Sequence, residues 1–448
     1  MASTKPPSGM RDYLPDAVTK RRYVIGKIET TYRRYGFLPL ETPTMENLST
    51  LLGKYGEEGD QLLYRVLHRG DKLSRALTQP DVGQGDLAEL GLRYDLTVPL
   101  ARVVAQYGNS LPRIFKRFQI QPVWRADRPA KGRFREFYQC DVDITGTTSL
   151  MAEVEVISAT CDVLTELGFR NFSIALNHRV LLRSMIEAAG IDAALEGTAL
   201  VAIDKLDKIG VDGVRDELTQ RGIAADAAAQ LLAMTAGSEA LLDNTERIEQ
   251  LRQQLRMQAA QDALHDIASL LELTSDTAAG SRLRVTPALA RGLSYYTGPI
   301  FEVISDEFSG SLGGGGRYDN LVGMFSGKQV PAIGFSLGLE RILMLMEAAA
   351  MFPPLQMGAK VMICILTDTP LTPVVGLAHR LRQAGVMVEI YPEQTRLGRQ
   401  LQAADSMHIP YALIVGPDEV SQRQYPLKHL ASGEQQILDE AGLITALS

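Results

Sequence analysis

The runs RIFKRFQIQPVWR and FREFYQCDVDI alternate apolar and polar side chains, with ADRPAKGR between them. A period of two belongs to strands, because successive side chains leave a pleated chain on opposite faces. The intervening residues carry Pro129 and Gly132, which suit a turn. The expectation is one long antiparallel hairpin, with Arg133 and Arg135 on one face near its tip and Phe134 on the other. Charge sharpens the constraint. From Pro112 to Arg135 stand Arg113, Lys116, Arg117, Arg125, Arg128, Lys131, Arg133 and Arg135 against Asp127 alone, a net of 8 − 1 = +7. The whole chain of 448 residues sums to 46 − 53 = −7. That balance excludes a uniformly basic nucleic-acid binder and leaves room for a local cationic surface. Arginine forks fit phosphate oxygens bidentately. A solvated basic face is the plainer alternative; Trp124 and the strand aromatics favour a packed platform.

Helical spacing runs over 16–35 and stops at Gly36. GFLPLETPTME then reads as extended, with Pro39 and Pro43 suited to an edge or a strand end. RALTQ and LRYDLTVP read as short strands around a polar loop at 80–90, followed by a helix over 97–107. A helix at 149–167 and a strand at 171–176 come next. Residues 188–259 turn rich in Ala, Leu and Gln and read as a helical module. After a helix at 259–273, strands return in RLRVTPAL, GPIFEVIS and GSLGGGGRYDNLV, and a helix begins near Gly338. Beyond the linker PPLQMG at 353–358, three apolar strands alternate with two helices. That βαβαβ order predicts a separate α/β domain of about 90 residues.

Three further blocks are candidates for chemistry. GGGGRYD at 313–319 lets backbone pass close to a ligand, with a mobile loop as the rival reading. It is neither a Walker loop nor GxGxxG. RGLSYYTG at 291–298 sits at the start of a strand, so Tyr295 and Tyr296 are expected on opposite sides. PAIGFSLGLERIL runs from strand into helix and puts Arg341 in the first turns. A cation there opposes the helix dipole, which an anionic ligand would offset. The six histidines show no metal spacing, and GxSxG and HExxH are lacking. Cys140, Cys161 and Cys364 are too few and too scattered for a disulfide scaffold or a four-cysteine zinc site. No apolar stretch approaches the roughly 20 residues of a membrane span. The opening lacks the apolar core of a signal peptide, so a cytoplasmic location is expected.

Taken in order, these blocks resemble the histidyl-tRNA synthetases, class II aminoacyl-tRNA synthetases. GMRDYLP with YGFLPLETPTMEN is similar to the opening and motif 1, and LRYDLTVPLAR to the amino-acid loop. VWRADRPAKGRFREFYQCDVDI resembles motif 2. RGLSYYTG and GGGGRYDNLV resemble the two histidine blocks, and PAIGFSLGLERIL resembles motif 3. AADSMHIPYALIVGPDE and LKHLASGEQ resemble the anticodon domain. The resemblance implies an α+β catalytic domain built on an antiparallel class II sheet of six to seven strands, from residues 1–187 and 260–352. It further implies a helical insertion over 188–259, an anticodon-binding α/β domain over 359–448, and a homodimer through motif 1.

The implied reaction joins histidine to tRNA(His) through histidyl-adenylate, using ATP with Mg²⁺ and no protein-held metal. By resemblance Arg125 holds the α-phosphate and Arg341 the distal phosphates. Arg291 acts at the α-phosphate and the carboxylate, and Phe137 stacks on adenine. Asp143 and Tyr296 occupy the ring-reading positions, with Tyr295 beside them. Asp95, Thr97 and Gln139 match positions that hold the α-amino group, and Arg128 one that meets the tRNA acceptor end. Two departures stand out: Ser294 where the family usually has Asp, and Asp143 where bacterial members often have Glu. The alternative reading is a catalytically weakened paralogue, a regulatory subunit of ATP phosphoribosyltransferase. That paralogue typically lacks the anticodon domain and the Arg291-type residue, both present here.

Overall fold

The alternating runs form the hairpin they predict. In the computed structural model, strands Phe115–Trp124 and Glu136–Thr145 pair antiparallel from Phe115↔Thr145 to Trp124↔Glu136. The structure describes residues 3–130, 132–235, 242–291, 295–305 and 308–448. Phe118, Val142, Ile144 and Cys140 share one buried face. The helix Pro15–Arg34 packs Tyr32 against Phe118, with ring centroids 6.0 Å apart. Met151–Glu166 covers the same sheet. The opposite face is polar, which is unusual for a buried strand and is the first sign of a site.

Eight strands form the central sheet. Their order is Leu38–Pro39, Phe115–Trp124, Glu136–Thr145, Ala332–Gly338, Phe308–Arg317, Pro299–Ser305, Phe172–His178 and Leu283–Val285. The inner six are antiparallel to their neighbours. The two short edge strands pair in parallel, so the sheet is wider than six or seven strands and mixed at its rims. Backbone contacts divide the chain into two compact units, Met1–Asp12 with Arg21–Met351, and Tyr13–Lys20 with Phe352–Ser448. The helices of the 188–259 stretch belong to the first unit; they include Glu196–Ile203, Leu206–Gln220, Ala225–Thr235 and Asn244–Gln254.

Two local expectations need correction. RALTQ is helical, as the end of Gly70–Leu77, with the Thr78 N–H donating back to Arg75 O at 3.3 Å. LRYDLTVP splits between the strand Ala88–Leu92 and the helix Thr97–Tyr107. GSLGGGGRYDNLV gives the strand expected of it: its four glycines lie inside Phe308–Arg317, paired on both sides, which rules out the rival loop.

The second unit carries its own five-stranded sheet, ordered Val388–Ile390, Val361–Ile365, Tyr411–Val415, Tyr425–His429 and Gln435–Leu438. The first three are parallel and form the expected βαβαβ core with helices Leu371–Gln383 and Leu397–Ser406. Two antiparallel strands and the helix Glu440–Leu447 follow, beyond what the alternation indicated. No helix among the described residues is long and apolar enough to cross a membrane.

Candidate active site

The polar face of the hairpin forms the floor of a cavity of about 550 Å³. Strand register builds it. Arg117, Gln119 and Gln121 stand across from Asp143, Asp141 and Gln139. On the other side Gly334, Ser336 and Gly338 face the same three residues. Small residues on one strand thus leave room above the acids of the next. A Cβ on Gly334 would come within 1.8 Å of Asp143 Oδ1, so only glycine fits that carboxylate.

The glycines of GGGG do two jobs. Gly314 stands on the cavity wall, where a Cβ would reach 1.5 Å from Arg291 Nη1. At Gly313, Gly315 and Gly316 it would instead strike backbone oxygens of the neighbouring strands, Ser336 O at 2.4 Å, Gly334 O at 1.9 Å and Pro299 O at 2.7 Å. Gly314 clears space for a functional side chain, and the other three let strands close.

At the closed end Asp143 is buried. Its Oδ2 lies 2.8 Å from Arg117 Nη2, and its Oδ1 accepts from the Tyr318 hydroxyl. Burial pushes its pKa up, against the pull of Arg117 and of Tyr318. Tyr295 and Tyr296 both line the cavity, edge to face, with centroids 5.0 Å apart. Opposite sides were expected; the strand begins only at Pro299, so no pleat separates them. Asp95 sits just before the helix Thr97–Tyr107. Its Oδ1 accepts from Val98 N at 3.1 Å and from Tyr55 OH at 3.0 Å. Burial pushes Asp95 up to about 6, restrained by the Val98 N–H, Arg125 and Tyr55. Asp95 Oδ2 and Gln139 Oε1 are buried with no hydrogen-bond partner among the described residues. Buried acceptors left so call for a donor, and a ligand ammonium would supply it.

The other end is cationic. Arg125 donates Nε to Tyr94 O at 3.1 Å, and its guanidinium lies 4.2 Å from the Tyr94 ring centroid and 5.1 Å from that of Phe137. Arg291 donates Nη1 to Phe301 O at 3.2 Å and pairs with Glu302 at 3.4 Å. Burial pulls its pKa down, but Tyr296, Glu302 and Tyr295 outweigh this and keep it charged. Arg341 donates to Ser311 O. Burial lowers its pKa; Glu302 opposes that, while Arg133 and Arg125 add to it, so these cations share one space.

Of the eleven residues singled out in the sequence, the structure brings ten to this cavity: Asp95, Thr97, Arg125, Phe137, Gln139, Asp143, Arg291, Tyr295, Tyr296 and Arg341. Arg128 is exposed on the hairpin tip and does not line it. Arg133 and Phe134 both line the cavity, contrary to the opposed faces expected, because strand pairing has ended before the tip. Arg135 turns instead to Asp127 O at 2.9 Å. Arg117 is fully buried, and Lys116 pairs with Glu155, so the basic run is not one continuous surface. Sequence reasoning missed Asp141, Tyr318, Glu302 and Lys208 on the cavity wall. Asp141 was within reach, since it lies two residues from both Gln139 and Asp143 on one strand. Ser294 and Lys131 lie outside the described residues.

The sheet topology and the trailing α/β unit define a class II aminoacyl-tRNA synthetase. A family model described as histidyl-tRNA synthetase matches residues 9–342, and one described as an anticodon binding domain matches 360–448. The chain belongs to the histidyl-tRNA synthetase family. Among its relatives, the histidine–tRNA ligase of Christiangramia forsetii is 41% identical, over 98% of either chain. That of Gloeobacter violaceus is 42% identical, over 96% of this chain and 95% of the other. The crystal structure of histidyl-tRNA synthetase from Nostoc sp. PCC 7120 superposes with a TM-score of 0.82 at 28% identity, covering 100% of this chain and 99% of that one. A Bacillus halodurans structure described as an ATP phosphoribosyltransferase regulatory subunit/histidyl-tRNA synthetase shares the fold, with a TM-score of 0.73 at 21% identity, covering 93% of this chain and 99% of that one.

Proposed function

We propose that this chain ligates histidine to tRNA(His) in two steps, through histidyl-adenylate. The observation that carries the proposal is the convergence of Arg125, Arg291 and Arg341 on one cavity whose other end holds Asp143 and Tyr296. The near-full-length ligase relatives and the match to the anticodon model support it over the regulatory-subunit reading.

In the first step the histidine carboxylate attacks the ATP α-phosphorus, and pyrophosphate leaves. Two anions must meet while charge grows on the phosphoryl oxygens, so fixed cations contribute both positioning and charge stabilisation. Arg125 and Arg291 hold the α-phosphate from two sides, Arg291 also taking the carboxylate. Arg341 holds the distal phosphates. Phe137 offers its ring to adenine, with Arg125 kept in place by the Tyr94 ring and carbonyl. Mg²⁺ would come with ATP and offset phosphate charge, held mainly by the substrate; Glu302 and Glu340 on the cavity wall are the carboxylates that would help hold it.

At the closed end Asp143 accepts from an imidazole N–H and Tyr296 meets the other side of the ring, with Tyr295 packed against it. Asp95, Thr97 and Gln139 bind the α-ammonium. Analogues lacking one of these partners leave a buried polar group unpaired and are rejected strongly. In the second step the terminal ribose of the tRNA takes the acyl group, with Arg128 meeting the acceptor end and the C-terminal unit reading unpaired anticodon bases. The working protein is a cytoplasmic homodimer. Incubation with labelled histidine, ATP, Mg²⁺ and total tRNA tests the assignment: label should become acid-precipitable on tRNA(His). Histidine-dependent ATP consumption that leaves the tRNA unlabelled would reject it.

A further inference from the structure

Asp141 lines the cavity, and the proposed reaction gives it no role. It stands two residues from Asp143, so both carboxyls emerge on one face of the strand. Each is 2% exposed. One cation serves both. Arg117 is 0% exposed on the neighbouring strand, with Nη2 2.8 Å from Asp143 Oδ2 and 3.9 Å from Asp141 Oδ2. The same guanidinium also donates to Gln119 Oε1 at 3.2 Å and Leu96 O at 3.3 Å. Asp141 Oδ1 is buried with no hydrogen-bond partner among the described residues. The other groups facing the pair are Asp95 from the turn before the helix Thr97–Tyr107, and Tyr295, Tyr318 and Ser336; Tyr32 of the helix Pro15–Arg34 lies on the other face of the sheet and feels both acids through it.

Charge counting is decisive here. Two carboxylates against one guanidinium leave a net negative charge at the buried floor of the cavity, with Asp95 adding a third acid nearby. An uncompensated buried charge is costly, and a proton removes that cost. Asp143, closer to Arg117, is the better placed to stay ionised. Burial pushes Asp141 up to about 7, with Arg117 pulling it down and Asp143 pushing it up.

We propose that Arg117, Asp141 and Asp143 form a one-proton unit beneath the imidazole, in which Asp141 keeps the proton and so couples histidine binding to proton uptake. The inference rests on the ligase reading, since it needs histidine in the cavity. Arg117 is a positioning residue that holds Asp143 as an acceptor. A free histidine ring is neutral above a pH of about 6.5 and brings one N–H donor and one acceptor. Seating it removes water from the pair and makes a second negative charge dearer. Above neutrality, where Asp141 has ionised in the empty site, binding therefore draws one proton from solvent. Carboxyls and ring then titrate as one unit.

Calorimetry of histidine binding to the full chain at pH 8, in buffers of different ionisation heat, counts the protons. The wild type should take up close to one proton more per histidine than Asp141→Asn. Its dissociation constant should also rise by about tenfold per pH unit above the titration of the unit, while that of Asp141→Asn stays flat. Any proton taken by the ligand's own amino group is common to both proteins, so their difference is the readout. Equal uptake in the two proteins overturns the proposal. If the variant does not fold, the wild type decides alone, and binding without proton uptake overturns it. Binding with no proton difference sinks this inference and leaves the ligase reading intact; no binding of histidine at all removes both.

Discussion

The two ends of one hairpin use the same residue type for opposite purposes. At the closed end Arg117 is sealed from water and matched to the acids of the adjacent strand. At the open end Arg125 rests on aromatic faces and a carbonyl, and Arg128 projects to solvent. The difference is the local dielectric. A cation sealed in the interior must be compensated within the protein, and the resulting pair becomes a rigid hydrogen-bonding template. A cation beside an open cavity is held in place by weak contacts and keeps its field for an incoming anion. A run of arginines in a sequence therefore says little until strand register decides which of them face inward.

Substitutions at the two ends should fail differently. Arg117→Met is expected to have the largest effect, because it leaves Asp143 and Asp141 without their shared cation. Stability should drop by about 3–5 kcal/mol at neutral pH, measured by denaturant unfolding. A loss under 1 kcal/mol would mean that the pair is already neutral. Arg291→Ala acts at the open end. Histidine-dependent pyrophosphate exchange should fall by about 10²–10³-fold while histidine affinity changes only a few-fold. A parallel collapse of both would show that Arg291 serves ground-state binding.

Gly314→Ala sharpens the comparison further. Its Cβ would meet the tip of the Arg291 side chain, which can move, so the protein should fold and lose about 10–100-fold in exchange rate. Gly315→Ala would strike Gly334 O instead and should lower the melting temperature. Matching thermal and kinetic effects in the two variants would contradict the separate roles of Gly314 and Gly315. Arg128→Ala is the mildest. Exchange should be unchanged, tRNA charging should weaken by a few-fold, and the salt dependence of tRNA binding should become shallower.

Much of this was legible in the sequence because the hairpin's alternation is strong and its boundaries are marked by a Pro- and Gly-containing turn. Helices Pro15–Arg34 and Thr97–Tyr107 fall where their spacing put them. The gathering of ten distant residues into one cavity came from ordered motif blocks, which periodicity cannot supply. What stayed hidden depended on tertiary context. GGGG was placed in a strand with a loop as its rival, and only the pairing on both sides decides between them. Tyr295 and Tyr296 were assigned a pleat that starts only at Pro299. Arg117 looked like part of a phosphate-binding surface, and only cross-strand register to Asp143 shows it facing inward.

The most direct test of the central claim, one cavity joining a cationic phosphate end to an imidazole-reading end, is ATP–pyrophosphate exchange by the purified protein with each of the twenty amino acids in turn. Exchange should depend on histidine and on no other amino acid. Exchange with a different amino acid, or none with histidine in the presence of ATP and Mg²⁺, would contradict the account.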